Sequence, residues 1–208
     1  MGELITFEEK AVIVKGLDRL ALPDEDKVKN QFFSEEYSLL LQLKDSCNLT
    51  LTKKKPTLFY PGCGSDILTP LIYLESLFPQ TTEADLIFND ENNTFGLIKT
   101  ILDEVGVSFQ EQDNHLCFYW KNILIHLEFI QGDAFSLIRE IPPFEIYFEK
   151  AFRIMKSYHQ DFEDLVYEKL AEKGILISDS GFQDKDLKKV PVPEALSSYQ
   201  EMIIGIKN

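Results

Sequence analysis

The sequence predicts an α/β fold of three layers, a mostly parallel sheet between two sets of helices. Three observations predict it. Short apolar runs rich in branched and aromatic residues recur from Thr57 onward. Between most of them lie stretches whose apolar residues follow the helical period. Finally, 44% of the 208 residues are hydrophobic, including 16 Phe and 8 Tyr, which is enough to fill a core on both faces of one sheet. No internal repeat, low-complexity tract or linker divides the chain, so 1–208 reads as one domain.

Residues 1–50 read as a helical N-terminal cover. From Asp24 to Asp45 apolar residues fall at Val28, Phe32, Phe33, Leu39, Leu40 and Leu43 with charges between them. Leu22-Pro23-Asp24 is a helix start, since Pro and Asp both favour the first turn. Leu58 to Tyr60 is a short strand. A helix follows over 70–78, with Thr69 as N-cap and Pro70 at the first helical position, where its missing N–H is no loss. Leu86 to Phe88 is the next strand, ended by Asn89-Asp90. Phe95, Ile98, Ile101, Leu102 and Val105 share one helix face, closed by Gly106.

Residues 116–120 and 123–130 flank Lys121-Asn122 and read as a β-hairpin, with Ile123, Ile125, Leu127 and Phe129 alternating onto one face. Phe144 to Phe148 is another strand. Phe162, Leu165, Val166 and Leu170 mark a helix running to Gly174. Strands at 175–177 and 202–206 complete the set.

In a parallel sheet covered by helices, ligands bind beyond the carboxyl ends of the strands, where strand order reverses. The residues to read for function are therefore Gly62 to Asp66, Asn89-Asp90, Gly132-Asp133, Glu149-Lys150 and Ser178-Asp179. A phosphate-binding loop of the form GxxxxGK[ST] is absent. The dinucleotide pattern GxGxxG begins at Gly62 and Gly64 but ends on Ile67. Charge decides the matter more firmly. Asp66 about 4 Å from a phosphate costs roughly 4 kcal/mol at an effective dielectric of about 20. One backbone hydrogen bond returns only about 1 kcal/mol. A cationic ligand without phosphate meets no such objection. S-adenosylmethionine carries a sulfonium, an ammonium, a carboxylate and a ribose. Asp90 can accept both ribose hydroxyls, and Asp133 the adenine amino group.

The series PGCGS, ND and GDAF after successive strands, followed by FEIYFEK and GILISDSGF, resembles the strand ends of class I S-adenosylmethionine-dependent methyltransferases. The resemblance covers roughly residues 57–208. It implies a Rossmann-like sheet with an antiparallel C-terminal strand, here 202–206. It also implies a cofactor site at Tyr60, Gly62, Gly64, Asp66, Asp90, Asp133 and Ala134. Glu149-Lys150 ends the fourth strand, where that family keeps substrate-facing residues; Glu149 and Asp179 are the catalytic candidates, with salt bridging as their other reading. Tyr60 stands where the family usually has an acid, and Asp66 where it usually has a small residue. Gly64 to Asp90 spans 26 positions (90 − 64), longer than the family pattern, which a late helix start at Pro70 would explain. A non-catalytic module that binds S-adenosylmethionine or a nucleoside is the alternative reading. No NPPY-like segment occurs, which argues against methylation of base amino groups. The acceptor is then a small molecule or a protein.

Composition narrows the partners. A formal charge of −14 argues against nucleic acid and anionic lipid. Lys53-Lys54-Lys55 is the basic cluster that stands out, and reads as a solvated turn. Cys47, Cys63 and Cys117 form no CxxC pair, and His115, His126 and His159 lack metal-ligand spacing, so no metal is expected. MGELITFEEK lacks the basic and apolar regions of a signal peptide, and no apolar run approaches the ~18–20 residues that span a bilayer. A cytoplasmic protein with reduced thiols is the expectation.

Overall fold

The computed structural model describes residues 8–31, 37–39, 41–43, 49–183, 185–196 and 201–208. Helix α1 covers Glu25–Asn30, capped by the Asp24 carboxylate, which accepts from the amides of Asp26 and Lys27. Residues 37–39 and 41–43 are helical too. Phe32, Phe33 and Leu40 of the expected 24–45 helix lie outside the described residues.

The sheet domain then alternates β1 (Thr57–Pro61), α2 (Leu68–Leu77), β2 (Glu83–Asp90), α3 (Phe95–Glu104), β3 (Phe109–Gln112), β4 (His115–Trp120) and β5 (Ile123–Gln131). It continues through α4 (Ala134–Glu140), β6 (Phe144–Glu149), α5 (Arg153–Ser157), α6 (Phe162–Lys169), β7 (Leu170–Ser178), β8 (Leu187–Val190) and β9 (Ile203–Lys207).

Among the described residues these strands form one sheet in the order β3-β4-β5-β2-β1-β6-β7-β9-β8. The pairs β5·β2, β2·β1, β1·β6 and β6·β7 are parallel. β9 lies antiparallel to β7, and β3 to β5 form an antiparallel meander at the other end. This is a Rossmann-like sheet, mostly parallel, with an antiparallel C-terminal strand. The chain leaves β1 toward β2 and β5, then returns to the other side of β1 with β6 and β7. The order therefore reverses at β1, and the crevice there is the place for a ligand.

β1 and β6 are buried along their whole length because both faces are covered, whereas β5, next to the meander, alternates buried and half-buried positions. Tyr60, Phe88, Phe148 and Ile177 point into one core with α2 and α3; Phe59, Ile87, Tyr147 and Leu176 point into the other with α4 and α6. The alternation of neighbours between the two cores is the strand period itself.

Three boundaries differ from the sequence reading. Helix α2 begins at Leu68 rather than Pro70, so Pro70 is its third residue; it is still in the first turn, where no N–H is needed. The residue that answers the free amide of Thr69 is Asp66, whose Oδ1 lies 3.1 Å away. Helix α6 stops at Lys169, not near Gly174. Leu170 already pairs with Phe144, a bulge follows, and Lys173 turns with φ 61° before Ile175 rejoins the ladder opposite Ile146. The stretch between β7 and β9, where the sequence reading placed no element, carries β8 and a 3-10 turn at Glu194–Leu196.

The described part of the N-terminal fifty residues runs along α3 and the β3 edge. The amides of Lys10, Gly16 and Asp24 donate to Thr100 Oγ1, the Phe109 carbonyl and the Val105 carbonyl. After α1 the chain brings Gln31 to the carboxyl end of β1.

Candidate functional site

The site is built at the end of β1. After Pro61 the chain turns through Gly62 (φ 59°) and Gly64 (φ 53°), both left-handed conformations that only glycine adopts without strain. The two glycines serve different needs. A Cβ on Gly62 would stand 2.5 Å from the Phe152 ring, so Gly62 lets that ring close over the loop. A Cβ on Gly64 would meet nothing within 4 Å; its open face is where a ligand can approach backbone.

The loop is tied to the end of β2. Gly64 N donates to Asp90 Oδ2 at 2.9 Å, Cys63 N to the Asn89 carbonyl at 3.0 Å, and Thr94 Oγ1 to the Gly64 carbonyl. The structure thus joins Gly64 and Asp90 despite their long separation in sequence. Asp90 Oδ1 accepts from Asn92 N at 2.9 Å. The Asn92 side-chain amide also donates to Asp90 Oδ1, at 3.4 Å; a carboxylate offers about four acceptor positions, so Asp90 retains about one for a ligand hydroxyl.

Asp133 caps α4. Its oxygens accept from the amides of Phe135 and Ser136, both at 3.1 Å, and from the Ser136 hydroxyl at 2.6 Å. The Ser136 hydroxyl, aided by those amides, holds its carboxyl below the usual range. One acceptor position remains for a ligand. Ala134 is buried beside it.

Tyr60 is fully enclosed, edge-on to Phe88 and Phe148, and its hydroxyl donates to Asp66 Oδ2 at 3.1 Å. Burial, then the Asp66 charge, push that hydroxyl well above its ordinary pKa, so it stays protonated and a donor. Burial also drives the Cys63 thiol far up, which removes it as a nucleophile.

The catalytic candidates are placed less openly. Glu149 is 1% exposed. Its carboxylate accepts from Tyr147, Lys156, Ser178 and Ser180. Lys156 in turn reaches Glu163 at 2.9 Å and the Gly181 carbonyl. Glu149 therefore belongs to a buried ionic network that joins β6, α5, α6 and the turn after β7. Asp179 Oδ1 accepts from Ala151 N at 2.9 Å and so holds Ala151 in a left-handed turn, φ 57°. Burial raises the carboxyl of Asp179 above its usual range.

Two cavities meet at Gly62 and Ala151. The smaller, about 190 Å³, is walled by Asn89, Asp90, Asp133, Ala134, Phe135 and Phe152. The larger, about 390 Å³, is walled by Gln31, Tyr60, the loop from Gly62 to Thr69, Ile101 and Lys150. Each is walled by a residue that carries an orphaned oxygen. Gln31 Oε1 and Asn89 Oδ1 are buried oxygens with no donor among the described residues, while the Asn89 amide nitrogen holds the carbonyls of Ile130 and Gly132. With Asp66, Asp90 and Asp133, the walls are rich in acceptors. That suits a ligand bearing donors and positive charge, and it repels phosphates. S-adenosylmethionine, with an ammonium, two ribose hydroxyls and an adenine amine, fits this donor set.

Gln31, Ala151 and Phe152 escaped the sequence reading. Gln31 sits among charged helix residues with no distinguishing neighbour, and nothing in FEKAF marks a left-handed alanine. Asn89 was flagged only with its neighbour Asp90. Among the described residues no group of His, Cys, Asp and Glu could hold a metal ion, and no helix is long and apolar enough to cross a membrane.

No protein-family model and no curated protein sequence matches the chain. Solved structures do. Precorrin 8w decarboxylase from Methanobacterium thermoautotrophicum aligns at 18% identity over 75% of this chain and 70% of its own, with a TM-score of 0.42. Precorrin-6y C5,15-methyltransferase from Geobacter metallireducens aligns at 13% over 68% of this chain and 59% of its own, TM-score 0.39. Trm1 from Pyrococcus horikoshii, solved with S-adenosyl-L-methionine, aligns at 15% over 74% of this chain and 36% of its own, TM-score 0.40. The last two are thus matched over less than two thirds of their length.

Proposed function

We propose that the protein is an S-adenosylmethionine-dependent methyltransferase acting on a small molecule or a protein. The observation that carries the reading is the acceptor-rich crevice at the end of β1. There the open face of Gly64, the Asp90 carboxylate and two orphaned oxygens surround connected cavities. The nucleoside would lie in the smaller cavity, with its ribose on Asp90 and its base by Asp133 and Ala134. The amino-acid end would lie in the larger one, beside the glycine loop, Tyr60 and Asp66. The bound cofactor supplies an activated methyl group on sulfonium. The chain's own task is to orient an acceptor against it and to exclude water. No acid–base residue is required for that task where the acceptor is already nucleophilic.

One observation favours a second reading, a binding module that keeps the ligand and has lost the transfer. Glu149 and Asp179 are both committed to holding the backbone and the buried network, which leaves neither as an open general base. Incubation with methyl-labelled S-adenosylmethionine and a cell extract separates the two readings by whether label reaches any acceptor.

Binding itself is tested by titration calorimetry with S-adenosylhomocysteine and, separately, NAD. S-adenosylhomocysteine is expected to bind and NAD is not. Asp90→Ala is expected to weaken S-adenosylhomocysteine by about 1.5–3 kcal/mol, the range for hydrogen bonds to a charged group. Unchanged affinity in a folded Asp90→Ala protein would remove the ribose from Asp90, and NAD binding in place of S-adenosylhomocysteine would overturn the function.

A further inference from the structure

Among the described residues, four other than glycine have a positive φ: Asp113, Lys121, Ala151 and Lys173. Asp113 and Lys121 turn the hairpins β3-β4 and β4-β5, and Lys173 lies beside the bulge in β7. Ala151, at φ 57°, belongs to no such turn, and it stands on the walls of both cavities. A left-handed backbone is unfavourable for a residue with a Cβ and persists where its surroundings impose it. The imposing group is Asp179. Its Oδ1 accepts from Ala151 N at 2.9 Å, and its own amide reaches the Glu149 carbonyl at 3.4 Å. The base of this clasp is rigid, because Ser178 pairs with Glu149 in the ladder and its hydroxyl donates to the buried Glu149 carboxylate. A glycine at 151 would enter the turn freely and leave it as freely. An alanine held by a carboxylate keeps one shape. That shape delivers the chain to Phe152, whose ring closes over Gly62. Gly62 and Ala151 are the two residues that wall both cavities, so together they form the neck between them.

We infer that Asp179 is a positioning residue: through Ala151 it sets the neck between the two cavities, and it thereby favours ligands long enough to bridge them. The inference rests on the proposed function, because S-adenosylmethionine, placed across both cavities, is such a ligand. Asp179 acts in this role as a hydrogen-bond acceptor and not as a general base, so its charge is dispensable while its oxygen is not.

The test is calorimetry on the full chain with S-adenosylhomocysteine, which would pass through the neck, and adenosine, which would fill the smaller cavity alone. Asp179→Ala is expected to weaken S-adenosylhomocysteine roughly tenfold, about 1.4 kcal/mol, and to leave adenosine unchanged. Two further variants are expected to recover most of that loss. Asp179→Asn keeps an acceptor without the charge. Asp179→Ala combined with Ala151→Gly makes the left-handed turn accessible without the clasp. A loss in Asp179→Asn as large as that in Asp179→Ala overturns the inference, because the charge would then be the working feature. Unchanged S-adenosylhomocysteine affinity in Asp179→Ala overturns it as well. So do equal losses on the two probes, or an Asp179→Ala protein that fails to fold, since either makes Asp179 a residue of the fold alone. Those results leave the proposed function standing. A wild-type protein that binds neither probe overturns both.

Discussion

Lys156→Met lowers folding stability by about 3–5 kcal/mol, the cost of breaking a buried ion pair from one side. Lys156 is 8% exposed and sits between Glu149 at 1% and Glu163 at 7%. Removing its ammonium leaves two carboxylates facing each other with no cation. The hydroxyls of Tyr147, Ser178 and Ser180 still serve Glu149, and Gln183 N still serves Glu163 at 2.7 Å, but none of these neutralises charge. The aliphatic stem of Met fills the space of the lysine stem, so packing contributes little to the loss. Urea unfolding followed by circular dichroism reads the effect. Adding Glu149→Gln to Lys156→Met is expected to recover part of it, because the amide still accepts hydrogen bonds and carries no charge; the two changes are coupled, not additive. A loss under about 1 kcal/mol would mean that water reaches the network and screens it.

The second large effect separates the two glycines of the loop. Gly62→Ala places a Cβ 2.5 Å from the Phe152 ring in a left-handed turn. The ring must move, and with it go its contacts to Phe135 and Phe162. Destabilisation of about 1–3 kcal/mol is expected from overpacking, with left-handed strain of about 1–2 kcal/mol added. Gly64→Val carries the strain without the clash, so the protein is expected to stay folded. Its side chain fills the open face, and S-adenosylhomocysteine affinity is expected to fall by roughly a hundredfold, about 2.7 kcal/mol. Thermal melts and calorimetry on the two variants distinguish the roles. Normal binding by Gly64→Val would make the loop a turn and nothing more.

The central strands were legible because burial on both faces writes itself into the sequence as unbroken apolar runs. Leu58-Phe59-Tyr60 and Ile175-Leu176-Ile177 need no context to be read. The edges were not. FQEQ of β3 and LKKV of β8 hold few apolar residues, and they are strands because β4 and β9 offer them a ladder. Helix α4 is seven residues long, too short for its period to register. At the candidate site, Asp90 and Asp133 were singled out from their place after strands, a positional rule that needs no contacts, and both stand on the wall of one cavity. Gln31 was not, because its meaning depends on a tertiary approach that no local pattern encodes. The capping role of Asp66 was hidden for a related reason. An aspartate three residues before an amide it serves looks the same as one aimed at a ligand.

The covering of the β3 edge has a consequence for how the molecule behaves among its own copies. An outermost strand presents unpaired amides and carbonyls that any other extended chain can satisfy. At the far end of the sheet β8 carries Lys188 and Lys189, whose like charges discourage such docking. β3 has no lysine. It is shielded instead by the segment in which Gly16 N meets the Phe109 carbonyl, with Lys15 paired to Asp103 and Arg19 lying over the Tyr119 ring. A chain shortened to begin at Thr57 would lose more than a wall of the ligand cavity. It would carry a bare, sticky border, and edge-to-edge growth into oligomers would compete with the monomer as concentration rises. Residues 8–31 thus shield that border as well as contributing a wall to the crevice.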